Sequence, residues 1–177
     1  MTMMMAAMRP GCLQAAILND IGPEIDQAGL DRIKEYVGKS APVFDWNDAA
    51  DQVKALNKEA FPDYGDDDWM KFAQRTFNEN EDGVPVLAYD PEISRPIDED
   101  QSSAAPPDLW PFYDALIPVP TLLIRGALSD ILSRDCVAEM VRRKPDLATL
   151  ELADRGHAPM LNEPEALATI RTFLAGL

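Results

Sequence analysis

The stretch from Val119 to Asn162 constrains the fold most, because it has the pattern of a strand, a helix and a second strand. The run from Thr121 to Ile124 has a β-branched residue at each end, which is typical of a strand buried on both faces of a parallel sheet. Ser133 is a candidate N-cap for an amphipathic helix that ends before Pro145. A second strand is predicted from Thr149 to Ala153. One right-handed crossover joins the two strands, so they run parallel.

An acid and a histidine follow these two strands. Asp130 comes after the first and His157, the one histidine of the chain, comes after the second. Parallel strands bring their carboxyl ends to one edge of the sheet, so we expect the two side chains to meet there. A carboxylate that holds Nδ1 of a histidine leaves Nε2 free as a general base. The alternatives are a structural histidine in a Gly/Pro loop and a turn aspartate that caps the next residues.

Composition limits the classes of partner. The 177 residues fit one domain, or one domain with an inserted subdomain, and the net charge is −15. The segment 45–100 holds 16 of the 31 acidic residues and five of the 16 basic ones, so the acidity belongs to one region. This charge disfavours nucleic acid and anionic membranes as partners. No run is long enough to span a bilayer, and no cofactor or metal is expected.

The two cysteines, Cys12 and Cys136, form no disulfide framework and have no metal-ligand spacing. We expect both to pack as small apolar residues in a reducing compartment, the cytoplasm. Asp66, Asp67 and Asp68 favour the start of a helix, since acids stabilise the positive end of its dipole. A metal site is the alternative for this triplet, but further oxygen ligands do not surround it in the sequence.

Outside the central stretch the sequence predicts one strand and several helices. Leu13 to Leu18 has the pattern of a strand, and three helical faces follow it before residue 80. The segment 94–108 is polar and of low complexity, which is typical of a connector. A short helix near Leu109 to Leu116 leads into the central strand, and a last helix follows His157.

Two motifs carry a resemblance to a known family. Pro120 to Asp130 reads Pro-Thr-Leu-Leu-Ile-Arg-Gly-Ala-Leu-Ser-Asp, and Gly156 to Pro164 reads Gly-His-Ala-Pro-Met-Leu-Asn-Glu-Pro. Together they resemble the C-terminal half of an α/β-hydrolase, in which an acid follows the seventh strand and a histidine follows the eighth. The resemblance implies an α/β fold: three mostly parallel strands with flanking helices in residues 1–27 and 117–177, and an inserted helical cap in residues 28–116.

The resemblance also implies a reaction. We expect the parent enzyme to hydrolyse a small ester, lactone or related carbonyl substrate by a Ser-His-Asp mechanism, with Asp130 and His157 as catalytic residues. Acyl transfer and an aspartate nucleophile stay open. Five aromatic residues are candidates for substrate binding, although core packing explains each at least as well: Trp46, Trp69, Phe72, Trp110 and Tyr113.

The match is incomplete, because the sequence contains no Gly-x-Ser-x-Gly elbow, the motif that carries the family's nucleophile. The apolar run from Met1 to Met8 resembles the helix that follows that elbow. We therefore expect a truncated chain that is inactive alone and self-associates through an exposed sheet edge. The alternative function is a non-catalytic fragment that acts only as a binding or interaction module.

Overall fold

A computed structural model describes residues 1–36, 41–90, 92 and 108–177. Within these ranges the strands are β1 (Ala16–Asn19), β2 (Phe77–Glu79), β3 (Pro85–Leu87), β4 (Thr121–Gly126) and β5 (Ala148–Leu152). The helices are α1 (Thr2–Met8), α2 (Gln27–Tyr36), α3 (Trp46–Asn57), α4 (Asp66–Thr76), α5 (Trp110–Asp114), α6 (Arg134–Arg143) and α7 (Pro164–Ala175).

The predicted α/β class and the parallel three-stranded sheet are confirmed. The strand order is β1-β4-β5, and both pairings are parallel. In register, Asn19 lies opposite Ile124, and Gly126 lies opposite Leu152. The carboxyl ends of all three strands therefore reach the same edge, which is where the loops after them can share a site.

The central strand β4 explains why the sheet is stable. All six of its residues are buried, and alternate side chains point to opposite faces. Leu123 packs with residues of α5 and α6 on one face, while Leu122 and Ile124 pack against α7 on the other. Each fully buried leucine of this kind contributes about 2 kcal/mol relative to an exposed one.

The crossover helix α6 begins where the sequence predicted. Ser133 is its N-cap, and the Ser133 hydroxyl oxygen accepts a hydrogen bond from the Cys136 amide at 3.1 Å. The helix is joined to α5 by the buried Tyr113, whose hydroxyl donates to the Met140 carbonyl at 2.9 Å. These contacts place the turn before α6, and so the end of β4, in a fixed position.

The chain divides into two compact units, Met1–Gly29 with Ala105–Leu177 and Leu30–Ala104. The parallel sheet belongs to the first unit. The predicted insertion, residues 28–116, included the segment of α5, but Trp110 and Tyr113 of that helix pack in the core of the first unit. The predicted connector at 94–108 lies outside the described residues apart from Asp108.

The second unit has its own core. Helices α3 and α4 pack together, and β2 pairs antiparallel with β3. Asp45 caps α3 by accepting hydrogen bonds from the amides of Asn47 and Asp48, at 2.8 and 2.9 Å. The last of the three helical faces predicted before residue 80 ends at Thr76, the last residue of α4, and Phe77 begins β2. None of the helices in the described ranges is long and apolar enough to cross a membrane.

Candidate functional site

Three polar side chains meet at the carboxyl edge of the parallel sheet. Asp20 directly follows β1, Ser129 lies in the turn after β4, and His157 lies in the loop after β5. In the sequence, Asp20 is more than a hundred residues away from both Ser129 and His157. The parallel topology is what brings them together, because each follows the same end of its own strand.

Asp20 is the centre of this cluster and is fully buried. Its backbone amide donates to the Ile124 carbonyl at 2.7 Å, which continues the pairing of β1 with β4. Its φ of 53° turns the chain sharply, in the left-handed region where aspartate is found more often than most residues. The carboxylate accepts a hydrogen bond from the Gly126 amide on Oδ1 at 2.8 Å and one from the Ser129 hydroxyl on Oδ2 at 2.6 Å.

His157 contacts Asp20 through Nδ1. The distance from Nδ1 is 2.9 Å to the Asp20 carboxylate oxygen Oδ2 and 3.1 Å to the Asp20 carbonyl oxygen. A carbonyl oxygen only accepts, so Nδ1 carries the proton and Nε2 of the neutral ring has a free lone pair. The His157 side chain is 24% exposed, and within the described part of the chain Nε2 has no hydrogen-bond partner. The ring therefore has the tautomer and the access that a general base needs.

The sequence predicted that Asp130 would contact Nδ1 of His157, but Asp20 makes this contact. Asp130 lies one residue after Ser129, in the turn between β4 and α6, and it makes contacts of its own. The sequence predicted a strand that ends at Leu18, and no role was predicted for Asp20. The signal was present, because an acid directly follows a strand that runs parallel to the other two. A catalytic role for Asp130 stays a prediction.

The loop that carries His157 is held from both sides. The Asn19 side-chain amide donates to the Pro159 carbonyl at 2.9 Å, and the Leu128 amide donates to the Arg155 carbonyl at 2.9 Å. Within the loop the buried Glu163 carboxylate accepts from Arg155 Nε at 2.9 Å. A buried ion pair of this kind is weak support for stability, but it fixes the path of the loop.

The close approach of this loop explains Gly126. A Cβ atom at this position would collide with the Arg155 carbonyl and would lie 2.7 Å from the Gly156 carbonyl oxygen. Because those atoms are backbone, they cannot rotate away as a side chain would. Glycine at the end of β4 is therefore what allows the histidine loop to lie against the strand.

The aromatic candidates all have structural contacts. In the first unit the Trp110 indole donates to Glu24 at 2.7 Å, and Tyr113 is fully buried. In the second unit the Trp46 indole donates to Glu79 at 2.9 Å, while Trp69 and Phe72 pack with Phe61 and Tyr64. Trp69, Trp110 and Tyr113 are core residues, whereas Trp46 and Phe72 are half-buried. A role in substrate binding stays a prediction for all five.

The acidic triplet opens α4 as the sequence indicated. Asp66 pairs with Lys54 at 3.0 Å, and the Asp68 carboxylate accepts from the Gly65 amide at 3.2 Å. Across the residues that the structure describes, no group of three or more His, Cys, Asp or Glu side chains could hold a metal ion.

A parallel sheet flanked by helices, with a histidine after its last strand, defines the class: the chain has the α/β-hydrolase fold. It is 36% identical to an α/β-hydrolase of known structure from Novosphingobium aromaticivorans, with a TM-score of 0.90 over 99% of this chain and 61% of that one. A proposed hydrolase from Rickettsia typhi is 26% identical, with a TM-score of 0.81 over 99% of this chain and 58% of that one.

A curated relative adds a named activity. The chain is 29% identical over 166 residues to the 3-hydroxybutyrate-oligomer hydrolase of Cupriavidus necator, which covers 90% of this chain and 56% of the relative. A scan against models of protein families gives no match. The chain thus spans about three-fifths of the length of the solved structures and a little over half of the curated relative.

Proposed function

We propose that this chain carries the base and the acid of a hydrolytic site that cleaves small esters. His157 is the general base, and Asp20 holds its Nδ1. The observation that carries the proposal is the 2.9 Å contact between His157 Nδ1 and a fully buried carboxylate, with Nε2 left open. This arrangement activates a hydroxyl nucleophile placed against Nε2.

Ester hydrolysis is supported by the relatives. A 3-hydroxybutyrate oligomer is a chain of ester bonds, and the relative named for its hydrolysis aligns with 90% of this chain. We infer a small hydroxy-acid ester or a related carbonyl compound as the substrate class. The nucleophile in this proposal is a serine. Among the residues that the structure describes, no hydroxyl group contacts Nε2, so we expect the 177-residue chain alone to be inactive.

Three further parts of the proposal rest on separate observations. The unit Leu30–Ala104 would be the cap, because it is an insertion between β1 and β4 with its own aromatic core. The outer position of β1 in the three-stranded sheet supports self-association through that edge. The free cysteines, Cys12 and Cys136, support a reducing, cytoplasmic compartment.

The test compares this chain with the protein translated from the same reading frame extended upstream. Each is treated with a fluorophosphonate probe, which labels activated serines, and is assayed on 4-nitrophenyl butyrate and on a 3-hydroxybutyrate dimer. We expect labelling and turnover in the extended protein alone. His157→Ala should lower the turnover about 10²–10⁴-fold, the usual contribution of a general base.

The choice of acid is tested in the same assay. Asp20→Asn should lower the turnover by a similar factor, whereas Asp130→Asn, which removes the competing candidate for the acid, should leave most of it. The reverse ranking would restore Asp130 as the acid. If no extended protein is labelled or hydrolyses either ester, the hydrolase proposal is wrong and a binding or interaction fragment becomes the better account.

A further inference from the structure

Ser129 and His157 both contact the same oxygen atom, Oδ2 of Asp20. The Ser129 hydroxyl lies 2.6 Å from this atom, and His157 Nδ1 lies 2.9 Å from it. The contact joins the loop after β4 to the end of β1, 109 residues earlier in the chain. A serine at this point is therefore not an isolated turn residue.

The direction of the Ser129 proton is fixed by its other contacts. The Ser129 oxygen accepts hydrogen bonds from the backbone amides of Ile131 and Leu132, at 3.2 and 3.1 Å. Both amides only donate, so they take up the lone pairs of the hydroxyl oxygen. The hydroxyl proton therefore points at Asp20.

Each polar neighbour of the Asp20 carboxylate is a hydrogen-bond donor. Oδ1 of Asp20 faces the Gly126 amide, and Oδ2 faces the Ser129 hydroxyl and the His157 ring. All three neighbours donate, so the buried group accepts on every side, as an anion does. The two donors from the end of β4 also hold each carboxylate oxygen in place, which fixes the plane that the imidazole meets.

We propose that Ser129 is a positioning residue of the site: its hydroxyl holds the Asp20 carboxylate in the orientation that meets Nδ1 of His157 and partly neutralises the charge of that carboxylate. This inference rests on the proposed function of the Asp20–His157 pair. It assigns to Ser129 a role through Asp20, without contact to a substrate.

The effect has a definite sign. Removal of the hydroxyl takes away a donor to the carboxylate, so the negative charge next to the ring is less compensated. The doubly protonated ring is then favoured, and its titration midpoint moves to higher pH. The substitution leaves the other charged groups of these loops in place, so the shift reports the hydroxyl; these groups are Asp130, Asp154, Arg155 and Glu163.

The experiment uses the single histidine of the chain. In the ¹³C,¹⁵N-labelled 177-residue protein the ring signals of His157 need no assignment. We expect Ser129→Ala to raise the pH midpoint of these signals by about half a pH unit or more, since hydrogen bonds to charged groups are among the stronger ones. Ser129→Thr, which keeps the hydroxyl, should titrate as the parent does. Ser133→Ala, which removes a serine from the same segment but outside this network, should also leave the midpoint unchanged.

An unchanged or lower midpoint in Ser129→Ala, with an intact backbone amide spectrum, would overturn the inference. If Ser129→Ala does not fold, Ser129→Cys replaces it, because a thiol is a weak donor of similar size and the same upward shift is expected. Asp20→Asn separates the two proposals. Asp20→Asn removes the negative charge next to the ring and should lower the midpoint. A lower midpoint in Asp20→Asn with no effect of Ser129→Ala refutes this role alone, whereas no change in either refutes the Asp20–His157 pair itself.

Discussion

Gly126→Ala tests whether the histidine loop really lies against the end of β4. The added methyl group would collide with the Arg155 carbonyl and approach the Gly156 carbonyl to 2.7 Å. The two backbone segments would have to separate by several tenths of an ångström. Separation would weaken the hydrogen bond from the Leu128 amide to the Arg155 carbonyl and the contact of Asp20 with His157.

The expected cost has two parts. Overpacking a rigid site costs about 1–3 kcal/mol, and the loss of one hydrogen bond adds about 1 kcal/mol. We therefore expect the free energy of unfolding to fall by about 2–4 kcal/mol. With a urea dependence of about 2 kcal/mol per molar, the unfolding midpoint should fall by about 1–2 M.

Gly176→Ala is the matched control. The nearest atom to its added Cβ is 3.6 Å away, which is ordinary contact, so its free energy of unfolding should stay within about 0.5 kcal/mol of the parent's. Circular dichroism and tryptophan fluorescence, followed in urea, measure both variants. A Gly126→Ala protein as stable as Gly176→Ala would show that the loop does not approach β4 in this way.

Two further predictions concern the helices that support the site. Ser133→Ala removes the side-chain cap of α6 and should lower the free energy of unfolding by about 1 kcal/mol; an unchanged value would show that the hydrogen bond to the Cys136 amide does not stabilise the helix. Burial raises the pKa of Tyr113 above its usual value. The unfolded chain then ionises first, so this residue's stabilisation is complete below pH about 10 and falls above it by up to about 1.4 kcal/mol per pH unit. The free energy of unfolding of Tyr113→Phe should be about 1 kcal/mol lower at neutral pH. It should fall less steeply than the parent's between pH 9 and 11, and an identical slope would contradict the burial argument.

The sheet could be predicted from the sequence because its signals are local. The fully apolar run of β4, the serine that caps α6 and the proline after it each fix an element without reference to distant residues. The resemblance then implied three mostly parallel strands. The observed strand bounds differ from the predicted ones by up to three residues, as expected where pairing rather than propensity sets the ends.

The carboxylate that contacts His157 could not be predicted in the same way. Asp130 and Asp20 both follow parallel strands at the same edge, and a sequence pattern does not say which carboxylate points at the histidine. The choice depends on the left-handed turn at Asp20 and on Ser129, which occupies a place in the β4 turn and donates to Asp20. Both are three-dimensional facts, since the partners lie more than a hundred residues apart.

The most direct test of the central claim is the resonance of the Nδ1 proton of His157, recorded at a pH where the ring is neutral. The account predicts a strongly downfield Nδ1 proton in the parent protein and in Asp130→Asn, because a hydrogen bond to a carboxylate is short and charge-assisted. In Asp20→Asn the Gly126 amide retains the oxygen of the new side chain, so its NH₂ group faces Nδ1 and only the main-chain carbonyl of residue 20 still accepts; the resonance should move upfield. If Asp20→Asn keeps the parent resonance while Asp130→Asn loses it, then Asp130, and not Asp20, holds the ring.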